Sequence, residues 1–76
     1  MIIKILGTGC PKCKELEANV KKAVEISGKN INVEKVDNIN DIMNYGIMLT
    51  PGLVINEEVK SAGKVLTPDE ILKLIS

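Results

Sequence analysis

Cys10 and Cys13 are the only two cysteines in this chain of 76 residues, and Pro11 and Lys12 stand between them. Two thiols at this spacing can close a disulfide across one helical turn. Thiol exchange needs an attacking thiolate, a second thiol to resolve the mixed disulfide, and access for a partner disulfide. Ile2-Ile3-Lys4-Ile5-Leu6 has the pattern of a short buried strand, Gly7-Thr8-Gly9 breaks it, and Cys10-Pro11-Lys12-Cys13 opens a helical segment. A helix N-terminus presents free N–H groups and partial positive charge, which favour a thiolate. Cys10, at the loop edge, is placed to attack, helped by the helix end and by Lys12 or Lys14. Cys13, one turn further in, falls on the apolar face and is placed to resolve. Pro11 restricts the backbone between them and so influences the reduction potential.

The same pair could serve a different chemistry. Two thiolates at this spacing can bind a soft ion such as Cu(I), or form half of a zinc site. The chain has no His and no second Cys pair, and Met43 and Met48 read as core residues. Soft-metal binding or carriage is therefore the alternative to dithiol exchange. Gly7-Thr8-Gly9 after a strand superficially resembles a dinucleotide fingerprint, but Lys12 stands where the third glycine is required.

Pro51 is the second informative residue. Leu49-Thr50-Pro51-Gly52 leads straight into a strand, where a proline removes a ladder donor. A cis Thr50–Pro51 bond would turn the chain sharply, but cis is only about 5–6% of such bonds, so sequence alone favours trans. If this loop lies beside Cys10, the Thr50 backbone could pair with an extended substrate.

The elements that must position these residues follow from periodicity and caps. The spacing predicts a helix over Pro11–Ser27, with Cys13, Leu16, Val20, Ala23, Val24 and Ser27 on one face and Gly28 as the stop. Pro11 suits the first turn, and Glu17 and Lys21 form an i,i+4 pair. A strand is expected over Ile31–Val36, giving a right-handed βαβ unit. A short helix over Ile39–Tyr45 follows, capped by Asn38, stopped by Gly46, and turning Ile39, Ile42 and Met43 inward. Leu53–Ile55 and Val59–Ala62 read as a hairpin around Asn56-Glu57-Glu58. Thr67, Pro68 and Glu70 form a capping box for the last helix, with Leu66 and Ile71 as a hydrophobic staple. Ile71, Leu72, Leu74 and Ile75 supply its apolar face. Tyr45 reads as a packing residue at a helix end. The order is βαβαββα: an α/β fold with a four-stranded mixed sheet flanked by three helices, in one domain over residues 1–76.

Composition bounds the partners. A chain this short buries only about 60% of its unfolded surface, so stability is modest. Ten basic residues balance ten acids, and the sole aromatic is Tyr45. That balance offers neither a basic footprint nor a stacking platform for nucleic acid. No apolar run approaches a membrane span. The N-terminus enters a strand directly, without the features of a signal peptide, so a cytoplasmic address is expected. There the thiol pair is usually reduced, and a disulfide would be transient and catalytic. A monomer without bound cofactor is expected.

The Gly-Cys-Pro-Lys-Cys segment, the Thr50-Pro51 turn, the hairpin and the capped last helix together resemble the thioredoxin/glutaredoxin fold. More closely, they resemble the very small archaeal and bacterial thioredoxin-like "redox-active disulfide" proteins, across essentially the whole chain. The resemblance implies a thiol–disulfide oxidoreductase, in which Cys10 attacks, Cys13 resolves, and Pro51 is cis beside them. It also implies a protein disulfide substrate and an upstream reductase. There are departures. Thr8-Gly9 stand where thioredoxins carry Trp, and the first strand offers only Lys4 where they place a buried Asp beneath the second Cys. Ser61-Ala62-Gly63-Lys64 matches weakly the glycine pair and acid with which glutaredoxins hold glutathione. Soft-metal carriers of ferredoxin-like fold differ from this chain too. They place Met where Thr8 stands and end in a strand.

Overall fold

The computed structural model describes residues 1–75. Its elements run β1 (Ile2–Leu6), α1 (Pro11–Ser27), β2 (Asn32–Val36), α2 (Ile39–Asn44), β3 (Gly52–Ile55), β4 (Glu58–Ala62) and α3 (Pro68–Ile75). The strands form one sheet in the order β2-β1-β3-β4. β1 runs parallel to β2, with Ile5 opposite Lys35, and antiparallel to β3, with Ile5 opposite Leu53. β3 and β4 pair as a hairpin with an irregularity between Leu53 and Val54. This is the mixed α/β sheet expected from βαβαββα.

Alternation along the strands divides the core between two faces. On one face Ile3, Ile5, Leu53 and Ile55 pack with Leu16, Val20 and Ala23 of α1 and Ile71 and Ile75 of α3. Val24, Ile31, Val33, Leu66 and Leu72 close the edges of this layer. Full burial of each such Ile or Leu contributes about 1.5–3 kcal/mol relative to exposure. On the other face Leu6 and Val54 pack with Ile42 of α2 and with Ile47, and Val36 and Tyr45 border them. Gly52 lies so close to Ile47 and Leu6 that a Cβ there would meet Ile47 Cδ1 at 2.5 Å.

The caps behave as the sequence predicts. Asn38 Oδ1 accepts from the N–H groups of Asn40 and Asp41 at 2.9 and 3.3 Å. Glu70 N–H donates to Thr67 Oγ1 at 3.2 Å, and Glu70 Oε1 accepts from Thr67 N–H at 3.1 Å, completing the box. Gly28 closes α1 in the left-handed region at φ 68°.

Several expectations are corrected. Ile39 and Met43 do not turn inward but are 62% and 65% exposed. Six residues of α2 make less than two turns, so only Ile42 reaches the sheet. Met48 is not core either; it stands 95% exposed on the loop before Pro51. Leu74 lies on the rim of α3 rather than its buried stripe. The hairpin turn is Asn56-Glu57 alone, both at positive φ (50° and 67°), and Glu58 already belongs to β4. The Thr50–Pro51 bond is cis, reversing the preference drawn from sequence alone and agreeing with the family resemblance.

Candidate active site

Strand β1 ends at Leu6, and Gly7 N–H still extends the pairing by donating to Val36 O at 2.9 Å. Gly9, at φ 89°, then turns the chain toward α1. Cys10 is the N-cap residue in extended backbone, and Pro11 occupies the first helical position, where its missing N–H costs nothing. The Cys10 sulfur accepts from the N–H of Cys13 at 3.2 Å, so the helix end aims its free donor at this atom. The two cysteines are joined as a disulfide with Cα atoms 5.0 Å apart.

The two sulfurs sit in different surroundings. Cys10 is half-buried at the rim, with Pro11 and Lys12 exposed beside it. Cys13 is 5% exposed. A Cβ at Gly7 would collide with Cys13 Sγ, so only glycine lets that sulfur lie against the end of β1. The same position at Gly7 comes within 4.0 Å of Thr50 Cβ. Thr50, next to the cis Pro51, therefore lies near the end of β1 on which the Cys13 sulfur rests. Pro51 is fully buried, and its carbonyl accepts from Gly63 N–H at 2.8 Å, which anchors the turn to the end of the hairpin.

An open apolar groove of about 570 Å³ continues from this point along α2. Thr8 and Thr50 line it together with Ile39, Met43, Ile47 and Met48. Sequence reasoning missed this surface because it assigned both methionines to the core.

Lys4 lies on the α2 face of the sheet, away from Cys13. Its ammonium donates to Glu57 Oε1 at 2.6 Å and to Tyr45 Oη at 2.9 Å, and Tyr45 Oη donates to Glu57 Oε2 at 3.0 Å. The hydrogen bond it donates to Glu57, with that to Tyr45, pushes the Lys4 ammonium well above its ordinary range. The same bonds, Lys4 first, hold the Glu57 carboxyl below its ordinary value. Tyr45 therefore packs at the helix end as expected and also ties β1 to the hairpin turn. With Lys4 committed there, β1 places no titratable group beneath Cys13.

Among the described residues, no three His, Cys, Asp or Glu side chains converge as a metal site, and no helix is long and apolar enough to cross a membrane. The family described as "Thioredoxin domain" matches residues 1–76. A curated thioredoxin of Methanothermobacter thermautotrophicus is 38% identical over 76 residues, covering 100% of this chain and 99% of that protein. A curated thioredoxin of Methanocaldococcus jannaschii is 39% identical over 71 residues, covering 93% of this chain and 81% of that protein. With the four-stranded sheet, the cis proline and the paired cysteines already in place, the full-length match settles the family: this chain belongs to the thioredoxins.

Proposed function

We propose that this protein is a thiol–disulfide oxidoreductase that works through Cys10-Pro11-Lys12-Cys13, reducing protein disulfides with electrons from an upstream reductase. The observation that carries the reading is the N–H of Cys13 directed at the sulfur of Cys10 at the mouth of α1. A thiolate there gains a charge-assisted hydrogen bond and the favourable end of the helix dipole. Cys10 attacks the substrate disulfide, forming a mixed disulfide and releasing one substrate thiolate. Cys13 then attacks Cys10 Sγ, expelling the second substrate thiolate and leaving the Cys10–Cys13 bond. The groove walled by Ile39, Met43 and Met48 supports the reading as a place for apolar residues that flank the target cystine. Met side chains suit such a surface because they adapt to varied shapes. Thr50 and Pro51 border the attacked bond, and Lys12 adds positive charge at the rim. The sheet order β2-β1-β3-β4, with the β3–β4 hairpin followed by α3, is a thioredoxin arrangement rather than that of the ferredoxin-like soft-metal carriers, and this favours exchange over metal carriage.

The test is trapping. Cys13→Ser should accumulate a mixed disulfide with an oxidised protein substrate, seen as a reductant-sensitive mass increase, and Cys10→Ser should not. Equal trapping by the two variants would overturn the assigned roles.

A further inference from the structure

Resolution demands that Cys13 lose a proton while 5% exposed to solvent, and neither β1 nor Cys10 provides a base for it. A small cavity of about 20 Å³ is lined by Cys13 together with Ile5, Gly7, Lys14, Glu17 and Lys35. A cavity of that size has room for one water. Glu17 is one helical turn beyond Cys13, so both side chains fall on the same side of α1. Its side chain is only 18% exposed, and its two oxygens are held apart by two lysines. Oε2 meets Lys21 Nζ at 3.4 Å and Oε1 meets Lys35 Nζ at 3.5 Å. Lys35 comes from β2, directly opposite Ile5 of β1, so the pair spans the cavity from helix to sheet.

We propose, resting on the exchange reading above, that Glu17 is the proton acceptor for Cys13 and that Lys35 is the positioning residue that keeps its carboxylate at the cavity. In the resolving step the Cys13 S–H proton passes to Glu17 through the cavity. The sulfur's electron pair forms the Cys13–Cys10 bond, the bond from Cys10 to the substrate sulfur breaks, and its electron pair leaves with the substrate thiolate. Glu17, a carboxylate paired with its lysines in the disulfide form, passes that proton on to solvent. When a reductase thiolate later attacks Cys10, the Cys10–Cys13 bond breaks and Cys13 departs as a thiolate that takes up a proton by the same path. The charged and titratable groups facing this proton path are Lys14 and Lys21 from α1, Lys35 from β2, and none from β1.

The test separates the two exchange steps in one experiment. Reduced protein is mixed with a chromogenic aromatic disulfide, and the two successive releases of aromatic thiolate are followed by stopped flow across pH. The first release reports attack by Cys10 and the second reports resolution by Cys13. Glu17→Gln should leave the first phase unchanged and slow the second by roughly 10²-fold near neutral pH, the ordinary contribution of a positioned base. The deficit should shrink as pH rises and hydroxide takes over. Glu17→Asp should recover part of the rate, and Lys35→Met should slow only the second phase, by less. Lys22→Met, at an exposed lysine of α1 that does not line the cavity, should leave both phases within about twofold. A deficit independent of pH, equal slowing of both phases, or an unchanged second phase in Glu17→Gln would overturn the proposal. If Cys13→Ser still traps a mixed disulfide in that case, only the assignment of Glu17 fails and the exchange reading stands.

Discussion

Helices α1 and α3 begin with the same backbone arrangement and put it to different uses. Each has a cap residue followed by proline: Cys10-Pro11 in one, Thr67-Pro68 in the other. In each, the cap side chain accepts the backbone N–H three residues on at 3.2 Å, from Cys13 in α1 and from Glu70 in α3. The chemistry around them diverges. The first turn of α3 carries Asp69 and Glu70, and Glu70 reaches back to Thr67, so negative charge already meets the positive end of that helix. The first turn of α1 carries no acid, only Lys12 and Lys14. Sulfur is a weak acceptor as a thiol or disulfide and a strong one as a thiolate. α3 therefore realises its cap as stability, while α1 realises most of its cap only when Cys10 ionises.

The sharpest way to break this comparison is Cys10→Ser. Exchange activity should fall by roughly 10³-fold or more, because the nucleophile is gone. Yet serine is among the best N-caps, so the reduced variant should be as stable as the reduced parent, or about 1 kcal/mol more stable. Reductase turnover together with thermal unfolding under reductant reads both outcomes. Substantial destabilisation would mean that the Cys10 sulfur already caps α1 as fully as an oxygen does.

Thr67→Ala is the converse. Losing that cap should cost about 1 kcal/mol and lower Tm by about 4–8 °C for a domain of this size. The exchange rate per folded molecule should not change, since α3 contributes nothing to the cysteine pair. A proportional loss of rate at a temperature where the variant is folded would deny that the two helix ends are independent.

The smallest effect concerns acid. The Thr67 backbone N–H first, its hydroxyl next, and Lys64 and Lys73 more weakly, hold the Glu70 carboxyl below its ordinary value of 4.5. A carboxyl depressed in the folded state stabilises above its ordinary value, and that contribution is lost as pH falls through the folded one. Glu57 behaves the same way through Lys4 and Tyr45. The raised Lys4 has the opposite sign: its contribution is complete below its ordinary 10.5 and is lost only as pH rises through the higher folded value. Urea midpoints measured between about pH 7 and about pH 3 should fall below pH 4.5, and Glu70→Gln should flatten part of that slope. No substitution in the first turn of α1 should do so, because that turn holds no carboxyl.

Much of this arrangement is legible in the sequence because it is local. Cys10, Pro11 and Gly28 mark both ends of α1 within their own neighbourhood, and Thr67, Pro68 and Glu70 do the same for the start of α3. What escapes is set by distant parts of the chain. The Lys35–Glu17 contact needs β2 laid beside β1, and the Lys4–Tyr45–Glu57 network joins residues 41 and 53 positions apart. In the sequence Glu17 shows only its i,i+4 pair with Lys21, and the packed sheet alone sets it on the cavity that Cys13 also lines. Ile39 and Met43 look like core by residue type, yet a helix of six residues presents a single buried position, so their exposure follows from length; Met48 lies beyond that helix, on the loop before Pro51. Pro51 is locally ambiguous, and its cis bond was foreseen through resemblance rather than from its neighbours. Asn56-Glu57 lacks the Asn-Gly signature of a two-residue turn, which hid where β4 begins.

The central claim is that the sulfur at the mouth of α1 is the nucleophile and its neighbour one turn away is held in reserve. Limiting iodoacetamide added to the fully reduced protein at neutral pH, followed by peptide mass mapping, asks this directly. The account predicts that the first carbamidomethyl group falls overwhelmingly on Cys10, with Cys13 modified only after unfolding. Modification first at Cys13, or equally at both, would contradict it.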